Sequence, residues 1–106
     1  MIARIWSGRV RVRDARRYGA YLRRTGMADY KATPGNRGVL LLSRRDGDAV
    51  EFTFVTLWDS VAAIRRFAGK DYERARYYPE DRRFLLHRSR KVKHYEVSEG
   101  SNFPSS

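Results

Sequence analysis

The sequence predicts an α+β domain in the ferredoxin-like order β-α-β-β-α-β, with a four-stranded antiparallel sheet and both helices on one face. Three observations predict it. Two apolar segments, residues 38–45 and 49–58, flank Asp46-Gly47-Asp48, whose residues tolerate the positive φ of a tight hairpin. A segment with helical apolar spacing lies on either side of that hairpin, and a strand-like segment opens and closes the whole. The chain of 106 residues supports one core and is too short for two.

Residues 1–12 read as the first strand, with Ile2, Ile5, Trp6, Val10 and Val12 spread over both faces. Asp14 is placed to cap a helix whose inner side is Ala15, Tyr18, Gly19 and Leu22, with Tyr21 beside them. Arg13, Arg16, Arg17, Arg23 and Arg24 lie mostly opposite. Gly26 is a stop, and residues 27–37 read as a loop around the Pro34-Gly35-Asn36 turn. After the hairpin, Asp59 or Ser60 caps a second helix with Val61, Ile64, Phe67 and Ala68 on its apolar side and Gly69 at its end. Residues 71–77 predict a short helix stopped by Pro79, and 79–86 a further turn or two. Residues 88–97 alternate as the last strand. A single domain therefore spans 1–97, and 98–106 reads as a flexible C-terminal tail.

Composition narrows the function classes. Lys and Arg number 23 against 12 Asp and Glu, a net charge of +11, and 19 of the 23 are arginine. With 42% apolar residues and 14 aromatic side chains, this is no disordered basic tail. Cysteine is absent, so disulfide scaffolds, thiolate zinc sites and cysteine nucleophiles are excluded. Apolar runs such as 39–42 are far shorter than a membrane span, and no signal-peptide pattern opens the chain. The expectation is a cytoplasmic protein with no membrane partner.

The strands are apolar on both sides. Phe52, Phe54, Thr56 and Trp58 share one face of the third strand, while Val55 and Leu57 lie on the other; Val39 and Leu41 oppose Leu40 and Leu42 on the second. Two short helices cover one face only. A second copy packed face to face is the economical cover for the other, which predicts a homodimer. The alternative is that Val55 and Leu57 lie under the C-terminal tail.

Several segments, in order, carry a resemblance over nearly the whole chain: Ile2-Ala3-Arg4-Ile5-Trp6-Ser7-Gly8, Pro34-Gly35-Asn36-Arg37-Gly38, Phe54-Val55-Thr56-Leu57-Trp58-Asp59-Ser60, Phe67-Ala68-Gly69 and Tyr77-Tyr78-Pro79-Glu80-Asp81. Together they resemble the antibiotic biosynthesis monooxygenase family of dimeric α+β barrels. The resemblance implies a homodimer with a pocket between helices and sheet in each subunit, and a small aromatic molecule as ligand. Relatives include oxygenases of phenols that use no cofactor and oxygenases that degrade haem. It implies Trp58 and Tyr77 as catalytic candidates, with Trp6, Tyr78, Tyr21, Phe67 and Phe84 as the substrate-binding wall. Trp58 equally suits a packing role before the Asp59 cap, and the tyrosines ordinary core packing. Haem degradation meets two departures. Tyr77 stands where those relatives carry the iron-ligating histidine, and neither Trp6 nor Ser7 is the asparagine of their first strand. The expectation is therefore no cofactor.

His94 is the candidate general base, with Val92 and Glu96 on its side of the last strand; a solvated or dimer-bridging histidine is the plainer alternative. His87 and His94 lack the carboxylate spacing of a metal site, so no metal is expected. A non-catalytic binding module is the competing class, for a small apolar ligand or for nucleic acid through the basic face. Phe52-Thr53-Phe54-Val55-Thr56-Leu57 resembles the third-strand motif of the RNA-recognition motif, although Val50-Glu51, Thr53 and Leu57 depart from it.

Overall fold

Alternation along the strands builds the layers. The computed structural model describes residues 1–100, with β1 (Ile2–Arg11), α1 (Ala15–Leu22), α2 (Ala28–Ala32), β2 (Asn36–Asp46), β3 (Ala49–Trp58), α3 (Val61–Ala68), α4 (Asp81–Phe84) and β4 (Lys93–Glu96). The four strands form one antiparallel sheet in the order β2-β3-β1-β4, with the helices on one face, the predicted ferredoxin-like α+β arrangement. Phe52, Phe54, Thr56 and Trp58 of β3 point to the helices and are buried, and Trp6 of β1 lies opposite Phe54. These rings meet Tyr18, Tyr21 and Leu22 of α1 and Ile64 and Phe67 of α3 in one cluster.

The hairpin turns at Gly47, whose φ of 61° suits glycine. Ser60 caps α3, its hydroxyl accepting from the Ala63 amide at 3.2 Å. Gly69 ends it at φ 92°.

Four local expectations need correction. Asp14 does not cap α1; it sits in a 3-10 turn with helical backbone, and its carboxylate accepts from Arg17 at 2.8 Å instead. Gly26 does not stop the helix. The chain runs from α1 through a π-helical turn, Arg23–Met27, into α2, so the loop shrinks to the turn after Ala32. Tyr30 on α2 outweighs the glycine, because its ring is buried and stacks on Phe67 at 4.3 Å. Residues 71–77 form no helix: the Ala75 amide donates to the Arg90 carbonyl at 2.8 Å and the Val92 amide to that of Glu73 at 3.0 Å. That ladder satisfies backbone groups a helix would otherwise pair internally. The last strand is accordingly shorter than 88–97, and Val97 donates to the Met1 carbonyl at 3.0 Å just past its end. Residues 98–100 have no regular structure, and the rest of the predicted tail, 101–106, lies outside the described residues.

Part of the outer face of the sheet is apolar. Leu40, Leu42 and Tyr95 are exposed there, beside half-buried Ile5, Val55 and Leu57. Residues 97–100 border a groove floored by Val55 and Leu57, while Leu40 and Leu42 lie outside it. Among the described residues no helix is long and apolar enough to cross a membrane.

Candidate functional site

A cavity of about 20 Å³ lies between the inner face of the sheet and the helices, enough for a single water. Its walls are aromatic. Trp6 from β1 and Phe54 from β3 form the floor, with ring centres 6.0 Å apart. Tyr30 from α2 stands edge-on to Phe54 at 5.0 Å and is stacked on Phe67 of α3. Gly26, in the π-helical turn, lies against Phe54, where a Cβ would meet the ring at 3.4 Å, about ordinary contact distance.

Charged groups converge on these rings. Arg4, 2% exposed, projects from the first half of β1, between Thr56 on β3 and His94 on β4. Its Nη2 donates to the Arg74 carbonyl at 3.0 Å, and its guanidinium lies over Phe67 at 5.5 Å. Burial lowers the Arg4 pKa, against the opposing effect of the neighbouring Tyr30 phenol; burial likewise pushes Tyr30 up to about 12. Arg76 rests on the Phe67 and Tyr78 rings at 4.8 and 5.0 Å. Its guanidinium donates to the Phe67 carbonyl at 2.9 Å and to Asp29 at 3.2 Å. Lining the cavity while half-exposed, Arg76 stands between it and solvent.

Asp81, 3% exposed, supplies the carboxylate of the cavity. Tyr18 donates its hydroxyl to one oxygen at 2.8 Å and the Tyr78 amide donates to the other at 2.6 Å. Burial raises the Asp81 pKa, opposed by those two donors. Burial and the bonded carboxylate also hold the Tyr18 hydroxyl well above the ordinary phenol range. Tyr78 donates its own hydroxyl to Asp29.

Of the residues singled out by sequence, the structure brings Trp6, Phe67 and Tyr78 to this cavity. Trp58 is fully buried in the core beside it, its Nε1 donating to the Thr56 hydroxyl at 2.8 Å and its ring packing on Tyr30 and Phe67. Tyr77 lies on the far side of Trp6, accepting from the Trp6 Nε1 at 3.4 Å and donating to the Ser89 carbonyl at 2.6 Å. Tyr21 accepts from the Glu80 amide at 3.0 Å, and Phe84 packs on Tyr18 and Tyr21. His94 stands edge-on to Tyr72 at 5.1 Å, with Nε2 buried and unpartnered among the described residues. Burial foremost, then the charge of Arg4, holds His94 below its ordinary range. Phe52 and Phe54 face the helices, so these rings offer no stacking platform for a nucleic acid.

Sequence reasoning missed Arg4, Tyr30, Arg76 and Asp81. A signal for Arg4 exists: residues 2, 4, 6, 8 and 10 share a face, and Arg4 is the only cation among them. Tyr30 gave none, since it lay in a predicted loop, and Asp81 stood out only as the end of the Tyr77-Tyr78-Pro79-Glu80-Asp81 segment. Among the described residues no three His, Cys, Asp or Glu side chains are grouped to hold a metal ion. Compared with models of known families and with curated proteins, the chain matches none.

Proposed function

We propose that this protein holds a small aromatic molecule between its helices and its sheet and oxygenates it without a cofactor, in the manner of the antibiotic biosynthesis monooxygenase family that the sequence resembles. The observation that carries this reading is the aromatic-walled cavity with a buried carboxylate and guanidinium groups on its lining. At its present volume the cavity excludes a ring, so binding requires Arg76 to swing off Phe67 and Tyr78. That side chain is held by one carboxylate, one carbonyl and two ring faces.

The chemistry suited to such a site starts with loss of a proton from an electron-rich phenol or the methylene beside it. Asp81 is the base: desolvation raises its proton affinity, and Tyr18 and the Tyr78 amide orient it. The substrate anion then reduces dioxygen. A methylene that becomes a carbonyl loses two hydrogens and gains one oxygen atom, and the second oxygen leaves as water. Dry aromatic walls protect the anion from reprotonation by solvent.

Oxygen uptake with anthrone-like phenols tests this. Asp81→Asn is expected to lower the turnover by about a hundredfold or more, with Tyr77→Phe near the parent rate. No uptake across a broad phenol panel would remove the oxygenase and leave a binding module.

The outer face supports a second copy as partner. Leu40, Leu42 and Tyr95 are bare in the single chain, and a two-fold pairing of this face with itself would cover all three in both copies. Sedimentation at micromolar concentration should give twice the chain mass; a monomer there would exclude the pairing.

A further inference from the structure

Arg4 is the residue that packing explains least. It stands on the inner face of a central strand, where its neighbours in phase are Ile2 and Trp6. Guanidinium groups keep their proton even when buried, so the charge is permanent. Yet none of the ion pairs among the described residues includes Arg4. Its Nε is buried without a hydrogen-bond partner, again among the described residues. The groups facing it do not neutralise it. Tyr30, whose hydroxyl interacts with the guanidinium, is a phenol held above its ordinary range by burial, and burial holds His94 below its own. Asp81 lines the same cavity but is engaged by Tyr18 and the Tyr78 amide.

A buried cation with a free donor, open to an aromatic cavity, is the complement of one kind of ligand. We propose that Arg4 is an anion receptor, and that the ligand of the inner cavity is a planar aromatic acid bound as its oxyanion. The oxyanion takes the free Nε–H, and the ring lies along Phe67, over which the guanidinium already sits. This inference rests on the reading of the cavity as a small-molecule site and adds its charge preference. A phenol bound there is acidified, because the receptor favours the ionised form.

The test uses the full chain and 4-nitrophenol, whose ionised form absorbs at longer wavelength, with 4-nitroanisole as its neutral counterpart. Binding is followed by quenching of the tryptophans and by the phenolate band across pH. The expected result is about tenfold tighter binding of the anion and a lowered pKa of the bound phenol. Both should persist at high salt, which screens the surface arginines but not a buried site. Arg4→Met should erase the preference while 4-nitroanisole still binds, and Arg4→Lys should restore part of it. Equal affinity for the two probes, or a preference that survives in Arg4→Met or vanishes with salt, overturns the receptor and leaves the small-molecule site intact. Failure of the parent protein to bind either probe overturns both. Should Arg4→Met not fold, the salt dependence and the bound-state pKa of the parent protein decide the matter alone.

Discussion

The two faces of the sheet differ in where they place charge and bare apolar surface. The inner face, sealed by helices, holds Arg4 and Asp81 among aromatic rings. The outer face, bare in the single chain, carries Leu40, Leu42 and Tyr95. A core selected for stability alone would place no unpaired guanidinium inside, and a surface selected for solubility alone would not expose a leucine pair. Stability therefore accounts for neither face. The proposed ligand of the inner face and the proposed second copy on the outer one would each supply what the single chain lacks.

Substitutions can break this comparison at several levels. The largest effect belongs to Trp58→Ala. Its ring is fully buried against Tyr30 and Phe67, and its loss should cost about 3–5 kcal/mol in urea unfolding. A small cost would mean that the inner layer is loosely packed. Arg4→Met should do the reverse. Replacing an unpaired buried charge by an apolar chain of similar length should leave the unfolding midpoint unchanged or raise stability by about 1–4 kcal/mol. A clear loss would make Arg4 a structural residue and erase the contrast between the faces. Gly8→Ala should lose about 1–3 kcal/mol, because its Cβ would fall 2.7 Å from both Leu85 and the Trp6 ring. On the outer side, Leu42→Lys should halve the mass in sedimentation while circular dichroism stays unchanged; the parent mass persisting would move the partner surface elsewhere.

The smallest effect is a slope. Burial and, after it, Arg4 hold His94 below its ordinary value near 6.5, opposed by Glu73, with the Tyr72 ring alongside. The unfolded chain thus binds a proton there that the folded chain refuses. This contribution to stability is complete above about pH 6.5 and is lost as pH falls from there through the folded value. His94→Gln should therefore flatten the decline in stability between neutral and mildly acidic pH. An unchanged slope would show that His94 is solvated.

The fold was legible because its signals are local. The Gly47 hairpin, the Ser60 cap and the Gly69 stop each depend on a few adjacent residues, and the alternation of β3 names its own buried side. The site was only partly legible because it is assembled from distant segments. Trp6, Phe67 and Tyr78 stood out as aromatic residues at suggestive places. Arg4 is one of 19 arginines, and only the phase of β1 distinguishes it from the solvated ones. Tyr30 was hidden by Gly26, whose weak helix propensity was outweighed by a ring stack formed with a helix more than thirty residues away. Residues 71–77 failed as a helix for the same reason, since their backbone partners lie at 90–92.

The π-helical turn carries one further consequence. Each residue advances a helix by about 100° around its axis, and the widened turn at Arg23–Met27 sets the angle at which α2 departs from α1. The π turn holds a residue more than the α turn it replaces, so deleting one there lets it close as ordinary α-helix and keeps the Tyr30 ring in phase with Phe67, whereas deleting one from α2 ahead of Tyr30 would rotate that ring by about 100°. A one-residue deletion should accordingly be better tolerated within Arg23–Met27 than within the first two residues of α2.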